Sequence, residues 1–267
     1  MNQNSLTPVD SFKSVLNDRS LRNQVKSCMG DQSGNFLTSM LDLYSSDRTL
    51  QKCDPRAVAM ECLKAASLKL PIEKGLGFAY VVPYGNRPTF VIGYKGWIQL
   101  AQRSGQYVAI NADAIYEGED IKQDRISGRF ELTGTPTSDK ATGYFAYFKL
   151  VNGFEKMLYM SKEEVLAYAR KYSKAYSSGP WQTEFDKMAK KTVLRQILKF
   201  GPMSTEMRQA ETVEARSEEA QANETIRQEA NKGPVIDIQV DEETGEVLSD
   251  PADEPAALPG ELPDPGF

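Results

Sequence analysis

The sequence contains no histidine among its 267 residues. Mechanisms that need an imidazole are therefore excluded, including Ser-His-Asp and Cys-His nucleophilic catalysis and histidine-containing zinc sites. The three cysteines, Cys28, Cys53 and Cys62, provide neither an even disulfide framework nor a four-thiolate zinc site. We therefore expect a protein of a reducing, cytoplasmic compartment.

Four further features are missing, and each counts against a class of protein. No Gly-Lys dipeptide occurs, although a phosphate loop needs one behind its glycine-rich turn, so an ATP-driven recombinase is not expected. Gly75 and Gly77 lack the third glycine of a dinucleotide fingerprint and precede a strand, so we expect no nucleotide cofactor. No apolar run is long enough for a membrane span, and Met1–Asp10 lacks the regions of a signal peptide.

A metal-dependent nuclease is the enzymatic alternative that the missing histidines leave open, because carboxylates and a lysine can hold Mg²⁺ and activate water. The best candidates are Asp113, Glu117, Glu119, Asp120 and Lys122. Acidic residues at this spacing are also typical of a polar turn after a strand. Because the spacing matches no metal-site pattern, we predict a turn and no bound metal, and keep the nuclease as an alternative.

Charge is distributed unevenly along the chain, although the formal net charge is only −5. Residues 1–204 contain 28 Lys and Arg against 20 Asp and Glu, a net charge of +8, whereas residues 205–267 contain 4 against 17, a net charge of −13. Past Phe200 the only aromatic residue is Phe267, so this part buries too little apolar surface to offset its ordering entropy. We predict a basic folded core over residues 1–204 and an acidic, largely disordered tail over residues 205–267.

The core is predicted to be an α+β fold in which helices pack around a β-hairpin and a small antiparallel sheet. Helical spacing of apolar residues and N-terminal caps predict helices over Ser11–Cys28, Phe36–Tyr44, Asp54–Lys69, Trp97–Arg103, Ser161–Tyr176 and Trp181–Phe200. Runs rich in β-branched and aromatic residues predict strands over Gly77–Tyr84, Thr89–Tyr94, Tyr107–Tyr116, Arg129–Leu132, Gly143–Val151 and Met157–Met160. In the tail, Glu206–Ala230 is helix-compatible but has no broad apolar stripe, so a helix there is expected to be marginal alone.

The basic segment from Arg170 to Lys199 is the most informative part of the chain. It has eight Lys and Arg and two acidic residues, interleaved with Tyr172, Tyr176, Trp181 and Phe185. Cations neutralise phosphates and aromatic faces stack on unpaired bases, so the segment indicates single-stranded nucleic acid. The alternatives are a merely solvated helix face and core aromatics, with Trp97 and Trp181 evenly balanced between core and stacking. The charge distribution favours nucleic-acid binding. Because the negative charge is concentrated in the tail, the core has a net positive charge that solubility does not require.

Four motifs follow one another in the core: Leu76–Asn86, Ile92–Trp97, Gly179-Pro180-Trp181 and Met188–Thr192. In sequence and in order they resemble those of the RecT family of phage and prophage single-strand annealing proteins. The similarity extends over residues 10 to 204, whereas the tail resembles the family mainly in being acidic and variable. Gln102 is a departure, because some relatives carry a second arginine there, before Arg103.

The resemblance implies ATP-independent binding of single-stranded DNA and its annealing to a complementary strand, by a protein that is not an enzyme. It further implies a core distantly shared with Redβ and Rad52, assembly into rings or helical filaments, and action beside a 5′-to-3′ exonuclease. A passive single-strand coat protein is the remaining alternative. With the basic segment, these motifs give as candidate DNA-binding residues Tyr94, Lys95, Trp97, Arg103, Lys174, Trp181, Lys187, Lys190, Lys191, Arg195 and Lys199.

The candidate residues predict a groove walled by the sheet and the last core helix. Such a groove holds one strand by its phosphates and leaves the base edges free to test a second strand. The acidic tail has two interpretations. It recruits the exonuclease or a host single-strand-binding protein, or it competes electrostatically with DNA for the groove.

Overall fold

The computed structural model describes residues 7–124, 126–173, 176–177 and 179–230, with side chains described as far as Ser217. The chain divides into two units, Met1–Ile226 and Arg227–Phe267. Of the second unit, only residues 227–230 are described, and they are helical. The disorder predicted for residues 231–267 and the candidate Lys174 lie outside the described residues.

The N-terminal part consists of helices α1 (Pro8–Leu16), α2 (Arg19–Met29), α3 (Ser33–Ser46) and α4 (Pro55–Ser67). Asp54 caps α4 as predicted, its carboxylate accepting the N–H of Ala57 at 2.7 Å. The single helix expected over Ser11–Cys28 is wrong. Asp18 accepts the N–H of Leu21 at 3.0 Å and so begins a second helix shortly after the first has ended.

Strands β1 (Ala79–Tyr84) and β2 (Arg87–Ile92) form the predicted hairpin, and helix α5 (Tyr94–Arg103) follows directly. Two glycines allow this close succession. A Cβ atom on Gly93 would lie 2.2 Å from the carbonyl oxygen of Gly77, and one on Gly96 would lie 2.2 Å from that of Phe78. The start of α5 is thereby held against the base of the hairpin.

The main sheet is antiparallel and has the order β3-β6-β7, from strands β3 (Tyr107–Tyr116), β6 (Ala141–Leu150) and β7 (Glu155–Ser161). Strands β4 (Glu119–Gln123) and β5 (Phe130–Gly134) form a separate hairpin. Strand β4 lies where the sequence predicted a polar turn. The turn was predicted because the side chains of this segment are mostly polar, and in the structure most of them are exposed. Mixed helices and small antiparallel sheets confirm the predicted α+β class.

The C-terminal helices are α6 (Lys162–Tyr172), α7 (Pro180–Thr183), α8 (Phe185–Leu198) and α9 (Thr205–Ala230). Helix α6 begins at the predicted capping box of Ser161 and Glu164. The continuous helix expected over Trp181–Phe200 is interrupted at Glu184, whose backbone angles of φ −139° and ψ 47° are not helical. None of the helices in the described ranges is both long and apolar enough to cross a lipid bilayer.

Helix α9 begins in the segment that was assigned to the acidic tail, yet its first turns belong to the packed region. A narrow stripe at helical spacing is buried, made of Met207, Ala210, Glu214 and Ser217. Half of the buried side chains in this stripe are polar, so the helix has no broad apolar face. Apolar periodicity therefore does not predict that this helix packs against the core. The packed region therefore extends beyond Ser204, at least to Ser217.

Candidate nucleic-acid interface

Helix α8 carries the basic motif, and the structure divides its cations between two sides. Its apolar side packs on strand β6, with Ala189, Val193 and Ile197 fully buried. Lys187 and Lys190 lie beside the hairpin and the start of α5, whereas Lys191 and Arg195 face helix α9. The motif therefore forms two sites rather than one uniform basic face.

We call the first of these the outer cluster, consisting of Tyr80, Tyr94, Lys95, Lys187 and Lys190. The ammonium group of Lys190 lies 5.9 Å from the ring centroid of Tyr94. A Cβ atom on Gly77 would lie 3.2 Å from the Tyr80 hydroxyl and 3.5 Å from Cδ of Lys95, so these two side chains lie together. Cations and tyrosine rings on one surface are suited to phosphates and unstacked bases.

Both α8 lysines of the outer cluster are paired with carboxylates. Burial is the largest single effect and lowers the pKa of Lys190, but the 2.7 Å hydrogen bond to Asp113 and the negative charge of Asp113 together raise the pKa above the ordinary value. The hydrogen bond from Lys187 to Glu184, at 2.8 Å, raises the pKa of Lys187. Both ammonium groups are therefore charged at neutral pH. To bind a phosphate, each would only have to exchange its exposed carboxylate partner for that phosphate.

The second site, which we call the inner site, consists of Ile92, Lys191, Arg195 and Glu214. The side chains of Lys191 and Glu214 are 7% and 2% exposed and form an ion pair. The same carboxylate accepts the N–H of Ile92 at 3.1 Å, and a guanidinium nitrogen of Arg195 lies 3.6 Å from its other oxygen. The sequence analysis did not identify Glu214. The pattern that could have indicated it is an acidic residue at helical spacing from the two apolar residues Met207 and Ala210.

A cavity of about 330 Å³ adjoins the inner site. Its walls come from the hairpin and from helices α6, α7, α8 and α9, and they include aromatic side chains as well as Lys191, Arg195 and Glu214. The predicted groove was walled by the sheet and the last core helix, whereas this cavity has α8 as one wall and the hairpin, not the three-stranded sheet, as its β-wall. Helix α9 forms one of its walls, which the sequence did not indicate.

Both tryptophans belong to the core. Trp97 is 2% exposed and Trp181 is 6% exposed, and the ring of Trp181 packs 5.7 Å from that of Phe185. Stacking of bases on Trp97 is therefore corrected to a packing role, whereas Trp181 is packed but also lines the cavity. Lys191 was predicted to contact DNA from the exposed side of the last core helix, but in the structure it lies in a buried ion pair, because α9 covers it.

The other two candidates that the structure describes lie apart from the two sites. Arg103 donates to the carbonyl oxygen of Leu68 at 2.7 Å and lies 3.5 Å from a carboxylate oxygen of Glu206, so it joins the end of α4 to α9. Lys199 is exposed and hydrogen-bonds to Gln196 at 3.2 Å. Of these two, Lys199 is exposed, whereas the side chain of Arg103 is 27% exposed.

The acidic residues considered for a metal are engaged separately from one another. Asp113 pairs with Lys190, Glu117 pairs with Lys140 at 2.6 Å, and Glu119 accepts a backbone N–H. Within the described part of the chain, no group of three or more potential metal ligands converges.

Comparison with known proteins decides the family. The sequence model of the RecT family matches residues 34–231. The chain belongs to the RecT family. It is 40% identical over 229 residues to the uncharacterized protein YqaK of Bacillus subtilis strain 168, covering 85% of this chain and 79% of that relative. It is 31% identical over 176 residues to protein RecT of Escherichia coli K12, covering 60% of this chain and 63% of that protein.

Membership of the RecT family confirms the resemblance of the core motifs and supports DNA binding and single-strand annealing in recombination. The match continues to residue 231, beyond the boundary predicted after Ser204. Helix α9 and Glu214 therefore lie inside the family region, together with the outer cluster and the rest of the inner site.

Replacing Lys191 by alanine should lower the free energy of unfolding by about 3–5 kcal/mol, because it leaves the buried Glu214 carboxylate without its main partner. Lys190→Ala on the same helix is the matched control. It removes a half-exposed pair and should cost about 1 kcal/mol or less. Urea denaturation followed by circular dichroism measures both, and equal small losses would contradict the buried role of Lys191.

Proposed function

We propose that this RecT-family chain binds single-stranded DNA without ATP and anneals it to a complementary strand during phage recombination, acting as an oligomeric ring or filament. The observation that carries the proposal is the outer cluster, where two α8 lysines lie beside Tyr80, Tyr94 and Lys95. These side chains offer charge and ring faces, which recognise a strand whatever its sequence.

The outer cluster is proposed to make the first contact with DNA. Lys187 and Lys190 each exchange a carboxylate for a phosphate, so the change in charge pairing costs little and releases counterions from the strand. Lys95 extends the same surface from α5, and Lys199 lies further along α8. Contacts of this kind fix the position of the strand without reading its bases.

Annealing requires that the bound strand can still pair. A protein that held the Watson–Crick edges would select a sequence and block its complement, whereas phosphate contacts leave those edges open. Once pairing begins, stacking contributes about 1.4 kcal/mol per step, which supplies the driving force in place of ATP. Side-by-side copies of the chain in a ring or filament would place many such surfaces along one strand.

The decisive experiment mixes complementary oligonucleotides with the protein in the presence of a chelator and without ATP. We expect pairing to be faster than with the oligonucleotides alone, measured by fluorescence quenching between labelled strands. Loss of strands that depends on added Mg²⁺ would instead indicate the nuclease. Stable coating of each strand without faster pairing would indicate a passive coat protein.

The role of the outer cluster is tested by the salt dependence of DNA binding. Lys187→Ala or Lys190→Ala should reduce the slope of log K against log salt by about 0.7 on any sequence, since each removes one phosphate contact to a single strand. Lys140→Ala is the matched control, because it breaks a similar exposed ion pair outside the cluster. Unchanged slopes for both cluster variants would remove α8 from the interface.

The acidic region after α9 is proposed to recruit partners, either the 5′-to-3′ exonuclease or a host single-strand-binding protein, in the bacterial cytoplasm. Deletion of residues 231–267 leaves the described helices intact. We expect the shortened chain to anneal oligonucleotides at the normal rate and to lose recombination in cells. A loss of annealing in the purified protein would contradict a recruiting role.

A further inference from the structure

The inner site gathers the groups that proteins use to hold a phosphate. A backbone N–H from Ile92 and an ammonium group from Lys191 contact one oxygen of a single carboxylate, and a guanidinium group from Arg195 lies 3.6 Å from the other. Backbone amides, Lys and Arg are also the usual donors to the phosphates of nucleic acids. In this structure the anion at that point is the carboxylate of Glu214, which comes from α9.

The edge of β2 shows why a hydrogen-bond acceptor is needed there. In the described part of the chain the hairpin has two strands, so the outward N–H groups of β2 meet no neighbouring strand there. Phe90 donates its N–H to Glu61 of α4 at 2.8 Å, and Ile92 donates its N–H to Glu214 at 3.1 Å. Two carboxylates from different helices therefore occupy equivalent positions along one strand edge.

The helices that carry the two carboxylates differ in how many buried apolar side chains anchor them. Glu61 belongs to α4, whose neighbouring residues Val58, Ala59 and Cys62 are fully buried. Among its described side chains, which end at Ser217, helix α9 buries two apolar ones completely, those of Met207 and Ala210. Elements with few buried apolar contacts open at a lower free energy than core elements, so α9 is the element of the inner site that can leave.

Glu214 also fits the site incompletely. Its second carboxylate oxygen is buried and has no hydrogen-bond partner among the described residues, with Arg195 at 3.6 Å. A buried acceptor without a hydrogen bond is unfavourable, and a phosphate group offers more oxygens in more directions than a carboxylate does. The cavity of about 330 Å³ beside it provides room for the adjoining sugar and base.

We propose that Glu214 occupies the position of a DNA phosphate, and that a single strand bound at the outer cluster displaces α9 to place a phosphate between Ile92, Lys191 and Arg195. This inference rests on the proposed function and adds a second phosphate site, closed in the free protein by the chain itself. Binding of DNA is then coupled to release of α9.

The first test compares Glu214→Gln with Glu211→Gln, each of which removes one negative charge from α9. Glutamine at position 214 keeps the shape and an acceptor for Ile92 but no longer competes as an anion. We expect the Kd for a labelled oligothymidylate to fall about tenfold for Glu214→Gln, because the open state becomes more populated. Glu211→Gln should change it less than about twofold. Equal effects of the two variants would overturn the inference.

The second test needs no substitution and uses hydrogen exchange of the full-length protein. Amides of α9 between Thr205 and Ser217 should lose protection when oligothymidylate saturates the protein. DNA binding with α9 still protected would overturn the inference and leave the proposed function standing. Absence of DNA binding would overturn the proposed function as well.

A third arm separates DNA from small anions. Inorganic phosphate at the same ionic strength lacks the contacts to the outer cluster, so it should leave α9 protected. Release of α9 by inorganic phosphate alone would assign the inner site to a free anion and overturn its assignment to DNA.

Discussion

The arrangement of the C-terminal half depends on the buried ion pair between Lys191 and Glu214. A lysine and a carboxylate removed from water are tolerated only as partners, so helices α8 and α9 must meet at this point. The same carboxylate accepts the N–H of Ile92, which would otherwise be an unpaired group on the open edge of the hairpin. One side chain thus joins the hairpin, the basic helix and the segment that follows the core.

Sequence rules correctly predicted those features of the fold that depend on residues close together in the sequence. The bounds of β3 and the start of α6 at the capping box of Ser161 agree with the structure, because caps and strand alternation act over a few residues. The break at Asp18 shows the limit of apolar spacing, since the pattern continues across two helices. Strand β4 was missed because its polar residues are held by pairing with β5, which periodicity does not report.

The sequence predicted most of the residues of the candidate site. It did not predict that they divide into an outer cluster and an inner site. A helical wheel of α8 places Lys191 with the solvated lysines, and one helix considered alone cannot show that a second helix covers it. Glu214 lies 23 residues further along the chain, so the contact is a tertiary one. The burial of Trp97 has the same kind of cause, since Arg195 of α8 lies 5.8 Å over its ring.

The charge of the chain acts in two different ways that the net value of −5 conceals. Residues 205–217 contain three acidic and two basic residues, so the packed turns of α9 hold little of the −13 assigned to residues 205–267. Helix α9 therefore acts by placing one carboxylate at one position. A charge that acts through solvent has a range of about 10 Å at about 0.1 M salt, whereas a buried pair is screened much less. Salt therefore leaves the contact between Lys191 and Glu214 in place.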